Sequence, residues 1–194
     1  MSRKLTTKAE NKKKKIVNAT LEVLINKGIA CCNHRSVAEE AGVSLGLTTH
    51  YFKDLDELLI AAMDAYLVIF EGEIEGWFKN NAHPEAVDML TEFMFDSLRD
   101  RNFLHYEYEM YVAAISRKAL RPYSLKWLRI TENKLMKYSH IDNVSAQMIA
   151  SLMDSVFIRS VMDPDSILLE KNIIRESVNA LINRVSHGNQ YRPA

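Results

Sequence analysis

The residues with the most chemical content lie between Asn33 and Phe52, in the run NHRSVAEEAGVSLGLTTHYF. Their types predict two helices of about two turns each, near 34–41 and 45–52, joined through Ala41-Gly42-Val43-Ser44. Gly42 can take the left-handed backbone that a sharp interhelical turn requires. Ser44 is expected to cap the second helix and Asn33 the first, since short oxygen side chains accept from free N–H groups there. Ala38 is small enough for the helices to cross closely, and Val37, Ala41, Val43 and Tyr51 supply apolar packing. These are the parts of a helix-turn-helix, whose second helix enters the DNA major groove. Leu45, Leu47, Thr49 and His50 then have a use on the surface. Apolar groups and the Thr methyl meet thymine methyls, while hydroxyl and ring nitrogens reach base edges or phosphates. Gly46 lets the backbone approach DNA, and Lys53 suits a phosphate.

Other constellations carry less. Cys31-Cys32-Asn33-His34 places three metal-ligand types too close for tetrahedral zinc, and no second pair completes a site. Core or surface thiols are the expectation, with a redox switch as the alternative. His105 and Glu109, four apart, could share a metal or a ligand amine, or form an ordinary helix-surface pair. No G-x-S-x-G, P-loop, G-x-G-x-x-G or H-E-x-x-H pattern occurs, so catalytic residues, metal and cofactor are all expected to be none. Aromatic and sulfur side chains are plentiful further along: Met63, Tyr66, Phe70, Trp77, Phe93, Met94, Phe103, His105, Tyr106, Tyr108, Met110, Tyr111 and Trp127. Met63, Tyr66, Phe70, Phe93, His105, Tyr108, Tyr111 and Trp127 are the candidates for a pocket taking a small apolar or aromatic effector. Ordinary core is the competing reading.

The elements that must position these residues read as all-α. With only 6 Gly and 4 Pro, the chain lacks the turns of an all-β fold. A first helix over about Thr7–Lys27 carries the stripe Ile16, Ala19, Thr20, Val23, Leu24 and stops at Gly28. After the helix-turn-helix, a long helix is expected from Leu55, capped by Asp54, to about Lys79, with Gly72 and Gly76 able to fray or bend it. Further helices fit Pro84–Arg99, Phe103–Lys118, Pro122–Tyr138, Val144–Met162 and Ser166–Ser186, each proline sitting in a first turn. The division follows: residues 1–53 as a DNA-binding domain with its motif at 33–52, and 54–194 as a helical effector-binding and dimerisation domain. The last two helices bear apolar stripes, including Ile167, Ile174, Val178, Leu181 and Val185. Leu152, Val156, Ile174, Val178 and Leu181 are therefore expected in a four-helix homodimer interface, with intramolecular core as the alternative.

Charge agrees with a polyanion partner at one end. The formal net charge of the chain is zero, but residues 1–53 carry a net +6 and the remainder a net −6. Lys12–Lys15, with Arg3, Lys4 and Lys8, is read as an arm at and before the first helix, touching phosphates or simply solvated. No run is apolar enough for a membrane span or a signal peptide, and two adjacent cysteines require no oxidising compartment, so a cytoplasmic protein is expected.

Three quoted stretches bear a resemblance as an ordered set. They are Ile16-Val17-Asn18-Ala19-Thr20-Leu21-Glu22 with Lys27-Gly28, then Val37-Ala38-Glu39-Glu40-Ala41-Gly42-Val43-Ser44-Leu45-Gly46, then Tyr51-Phe52-Lys53 with Asp56-Glu57-Leu58-Leu59. Together they resemble the N-terminal domain of the TetR/AcrR family of bacterial transcriptional regulators. That resemblance implies a homodimer on a pseudo-palindromic double-stranded operator, repressing until a small molecule in the C-terminal domain releases it. It implies DNA contacts for Asn33, Arg35, Ser44, Leu45, Gly46, Leu47, Thr49, His50, Tyr51 and Lys53. Thr49 departs from a common aromatic, and Thr48 stands where a buried Leu or Val is usual, which predicts slightly looser packing. A DNA-binding regulator or architectural protein with no effector is the alternative, and a helical enzyme or scaffold the third.

Overall fold

Helices account for nearly all of the regular structure, and the punctuation residues mark their ends. The computed structural model describes residues 2–99 and 101–184, with side chains from residue 8 onward except at 101–104. Among the described residues there are nine α-helices and no strand: α1 Ser2–Lys27, α2 His34–Glu40, α3 Leu45–Tyr51, α4 Leu55–Asn80, α5 Ala86–Ser97, α6 Arg101–Ser116, α7 Arg121–Ser139, α8 Asn143–Met162 and α9 Lys171–Asn183.

The helix α1 begins earlier than its sequence suggests, so the lysine run is helical rather than an arm. Its expected stripe is buried: Ile16 and Val23 are fully covered, as are Thr20 and Leu24 to within 1%. Each such aliphatic side chain contributes about 1.5–3 kcal/mol by leaving water. Gly28 ends the helix at φ 78, its N–H still reaching the Leu24 carbonyl at 3.1 Å. Asp54 caps α4 through Glu57 N–H at 2.9 Å. The helix α4 runs unbroken past Gly72 and Gly76.

Two prolines do other work than expected. Pro122 lies in the first turn of α7, but Pro84 precedes α5 by two residues, and Pro164 sits in the turn after α8. The final helix is correspondingly shorter: a 3-10 turn at Ile167–Leu169 comes first, and α9 starts at Lys171. Ile167 is 63% exposed and does not continue the buried stripe; Val185 lies outside the described residues.

The chain forms two compact units. One comprises residues up to Phe70 together with Asn102–Trp127; the other holds the remaining described residues. The first unit thus gathers α1–α3 with parts of α4, α6 and α7. In the second, α9 packs on α5, and the pairs Lys171–Glu92 and Arg175–Asp88 join the same two helices. Glu75 draws Lys79, Lys134, Lys137 and the Tyr138 hydroxyl around one carboxylate, tying α4 to α7. The hydrogen bonds from Lys134, Lys137 and Tyr138 hold that carboxyl far below the usual carboxylate range.

Candidate nucleic-acid interface

The helix-turn-helix is built from local rules. Asn33 accepts from the N–H groups of Arg35 and Ser36 at 3.0 and 3.1 Å. The Ser36 hydroxyl in turn accepts from Asn33 N–H at 3.1 Å, completing a reciprocal cap. That hydroxyl also donates to the Cys31 carbonyl at 2.7 Å, tying α2 to the chain that enters it. Gly42 turns the corner at φ 58, and Val43 N–H reaches back to the Ala38 carbonyl at 2.9 Å. Val37, Ala38 and Ala41 are buried at this crossing, while Val43 and Tyr51 are half-buried.

Ser44 precedes α3 in an extended conformation but makes no side-chain cap; the expected hydrogen bond is absent. Only its carbonyl is used, accepting from Leu47 N–H at 2.9 Å. The residue is exposed. Thr48 is fully buried, and its hydroxyl donates to the Leu45 carbonyl at 2.8 Å. A polar group in a Leu or Val position is thereby satisfied internally, and the expected loosening does not arise from an orphaned hydroxyl.

The outer face of α3 is what remains. Leu45 is 43% exposed, and Gly46, Thr49 and His50 are exposed with it; Leu47 and Tyr51 are half-buried. The His50 and Tyr51 rings meet edge to face at 5.3 Å. Asn33, Arg35 and Lys53 are also exposed. The sequence-predicted contact residues lie on two adjoining short helices and on the residues that flank them, Asn33, Ser44 and Lys53. Of the two adjacent thiols, Cys31 is exposed, while burial pushes the Cys32 thiol up to about 11.

The effector candidates divide. Tyr66, Phe70, Tyr111 and Trp127 form one ring group in the first unit, with Tyr66–Trp127 centroids 5.1 Å apart and Phe70–Trp127 4.6 Å apart. Met63 is buried in that unit, Tyr108 half-buried and His105 exposed. Tyr106 belongs to the same group, 4.9 Å from Tyr66, and sequence reasoning left it off the candidate list. Its ring is 1% exposed, its hydroxyl has no hydrogen-bond partner among the described residues, and burial raises its ionisation well above the ordinary phenol range. Phe93 packs in the second unit instead, against Trp77 and Phe78. Glu109 does not wait on His105; its carboxylate accepts from Ile29 N–H at 2.6 Å.

The expected interface residues are also redistributed. Val156 on α8 and Ile174 and Val178 on α9 are buried within the subunit, at 5%, 1% and 0% exposure, where α9 packs against both α5 and α8. Leu152 and Leu181 are half-buried. The outward row of α8 is Val144, Met148, Ser151, Ser155, Ile158 and Met162, and a shallow groove runs along its last turns past Arg159 and Asp163.

Known proteins share this architecture. No family model matches the chain. The regulator BetI of Vibrio parahaemolyticus, named an HTH-type transcriptional regulator, is 26% identical over 92% of this chain and 96% of its own. The crystal structure of the multidrug binding protein EbrR with proflavin is 31% identical, covering 88% of this chain and 99% of that one, with a TM-score of 0.69. A TetR-family member from Streptomyces coelicolor is 29% identical over 88% and 98%, with a TM-score of 0.68. The chain belongs to the TetR family. Its relatives are HTH-type transcriptional regulators, and the α2–α3 pair described above is its helix-turn-helix. No helix among the described residues is long and apolar enough to cross a membrane.

Proposed function

We propose that this TetR-family protein is a homodimeric repressor that reads a pseudo-palindromic operator with α3 and leaves it when a small apolar or aromatic molecule binds. The observation that carries the DNA reading is the exposed row Leu45, Gly46, Thr49 and His50, set on a helix whose inner residue Thr48 is fully buried. Base edges are read by such side chains, and Asn33, Arg35, Ser44, Tyr51 and Lys53 stand where phosphate contacts would fix the register. Residues 1–53 are the segment assigned to DNA, and 54–194 supply support, effector binding and pairing. Leu47 reaches the groove from its half-buried position.

The effector reading is supported by the ring group of Tyr66, Phe70, Tyr106, Tyr111 and Trp127, and by Tyr106's buried hydroxyl, which has hydrogen-bonding capacity to offer. EbrR has been crystallised with ethidium and with proflavin, both flat aromatic molecules. A second copy of the chain would meet the outward row of α8. Selecting genomic DNA with the purified protein and sequencing it tests the function: a shared inverted repeat is the expected product. Fragments with no common sequence would leave an architectural role and remove the operator.

A further inference from the structure

The helix-turn-helix is held at two points, one on α6 and one on the residue that follows it. Before α2, the Glu109 carboxylate of α6 accepts the Ile29 N–H at 2.6 Å, and it presses on Gly28 so closely that a Cβ there would stand 2.7 Å from its Oε1. After α3, Arg117, the extended residue just past the end of α6, pairs with Asp56 in the first turn of α4. Seven positions separate Glu109 from Ser116, the last residue of α6, about 10 Å of helical rise at the usual spacing. The motif at 33–52 therefore has its entry held by α6 itself and its exit by the residue that leaves α6.

These two contacts are unequal. Arg117 and Asp56 are 40% and 36% exposed, and a pair so wetted fixes little. Glu109 is half-buried, it is a charged acceptor, and its partner is a main-chain N–H with Gly28 held at φ 78 beside it. Glu109 is the stronger hold. It lies one helical turn from Tyr106, whose ring meets Tyr66 at 4.9 Å and Trp127 at 6.1 Å. Met110, next to it, is 1% exposed. A shift of α6 that repacks those rings must move Glu109 as well, since a closely packed interior transmits displacement.

We infer that Glu109 is a positioning residue for DNA binding, coupling the aromatic group around Trp127 to the backbone at Gly28–Ile29 and so to the entry of the helix-turn-helix. This rests on the reading of the chain as an operator-binding regulator. The coupling is a free energy between two places on one molecule, so it can be measured without knowing the effector.

The experiment uses the full chain and the DNA fragment it selects from genomic DNA. Trp127 lies on α7, outside the helix-turn-helix, and Trp127→Ala disturbs the ring group. In the otherwise native protein this substitution is expected to change operator affinity by about fivefold or more. With Glu109→Ala also present, the same substitution is expected to change it by less than about twofold. Glu109→Gln keeps an oxygen for the Ile29 N–H and should restore the larger response, which loss of stability alone would not do. If circular dichroism shows Trp127→Ala unfolded, Trp127→Phe serves in the same comparison. Equal responses with and without Glu109 overturn the coupling, as does a response below about twofold in the native background. A native chain that selects no operator removes the regulator reading itself, and this inference with it.

Discussion

The Lys13 ammonium stands over the Phe52 ring, 5.5 Å from its centroid, joining α1 to the residue that ends α3. Lys15 lies nearby, with its Nζ 3.7 Å from where a Cβ on Gly42 would lie. Lys13 of the basic run therefore braces the helix-turn-helix. An exposed cation over an aromatic face contributes about 0.5–1 kcal/mol. Lys13→Ala should accordingly lower the thermal midpoint by about 1–4 °C in a chain of this size. Lys12→Ala and Lys14→Ala should leave it unchanged and, where those side chains meet phosphates, reduce the salt slope of operator binding by about one each. Melting curves that do not separate Lys13 from Lys12 would remove the bracing role.

The outer face of α3 gives a sharper contrast. Thr49 turns its hydroxyl back to the Leu45 and Gly46 carbonyls at 3.3 Å, leaving its methyl and one lone pair outward. Thr49→Ala and His50→Ala should each cost about 1–3 kcal/mol on the native operator and relax preference at one base pair. Lys53→Ala should weaken all sequences about evenly. Affinities on a panel of single-base operator variants distinguish readout from anchoring, and a uniform loss in all three variants would move base recognition away from α3.

What was legible in the sequence is what depends on neighbours along the chain. Asn33 as a cap, Gly42 at a positive φ and Asp54 before α4 each follow from one residue's chemistry and its place next to an apolar run. Ser44 shows the limit of such rules, because a favoured residue type need not use its side chain. Periodicity showed that α9 has one buried face; it could not say that Ile174 and Val178 are covered inside the subunit rather than by a second one. Glu109 was visible as a charged residue four places from His105, yet its partner Ile29 lies 80 residues away. No spacing rule reaches that far. The aromatic residues were likewise legible as a supply, and the separation of Phe93 from Tyr66 and Trp127 required the fold.

Acid and alkali should act on different carboxyls. Burial pushes Asp154 on α8 up to about 6, whereas an unfolded Asp ionises near about 3.9. Between those values the folded chain holds a proton that the unfolded chain has lost. Stability from this group is therefore present at low pH, declines as pH rises through the window, and stays lower above it. Asp154→Asn should raise the thermal midpoint at pH 7.5 and match the native protein at pH 4. Glu75 has the opposite sign: its depressed ionisation contributes stability above the ordinary carboxylate range, lost as the solution is acidified. Glu75→Gln should flatten the acid limb of the melting profile. An Asp154→Asn variant with the same advantage at both pH values would mean the gain is packing, not charge.

Subunit pairing offers a test in which two substitutions of one kind must fail differently. The outward row of α8 steps by four and three residues from Val144 through Met148, Ser151, Ser155 and Ile158 to Met162, the spacing of a helix-helix seam. Val144, Met148, Ile158 and Met162 are 47%, 39%, 41% and 81% exposed, an apolar row that an isolated subunit leaves in water. Ser151 and Ser155 between them are small enough for two backbones to come near. Val178, by contrast, is fully covered inside the subunit. Ile158→Asp should thus place like charges across the seam and give a folded monomer, with helical content retained by circular dichroism. Val178→Asp buries an unpaired carboxylate and should cost about 3–5 kcal/mol, enough to unfold a protein of ordinary stability. Sedimentation of both variants at micromolar concentration reads the difference. If Ile158→Asp still sediments as a dimer, the subunits meet elsewhere and the row on α8 is left without a role.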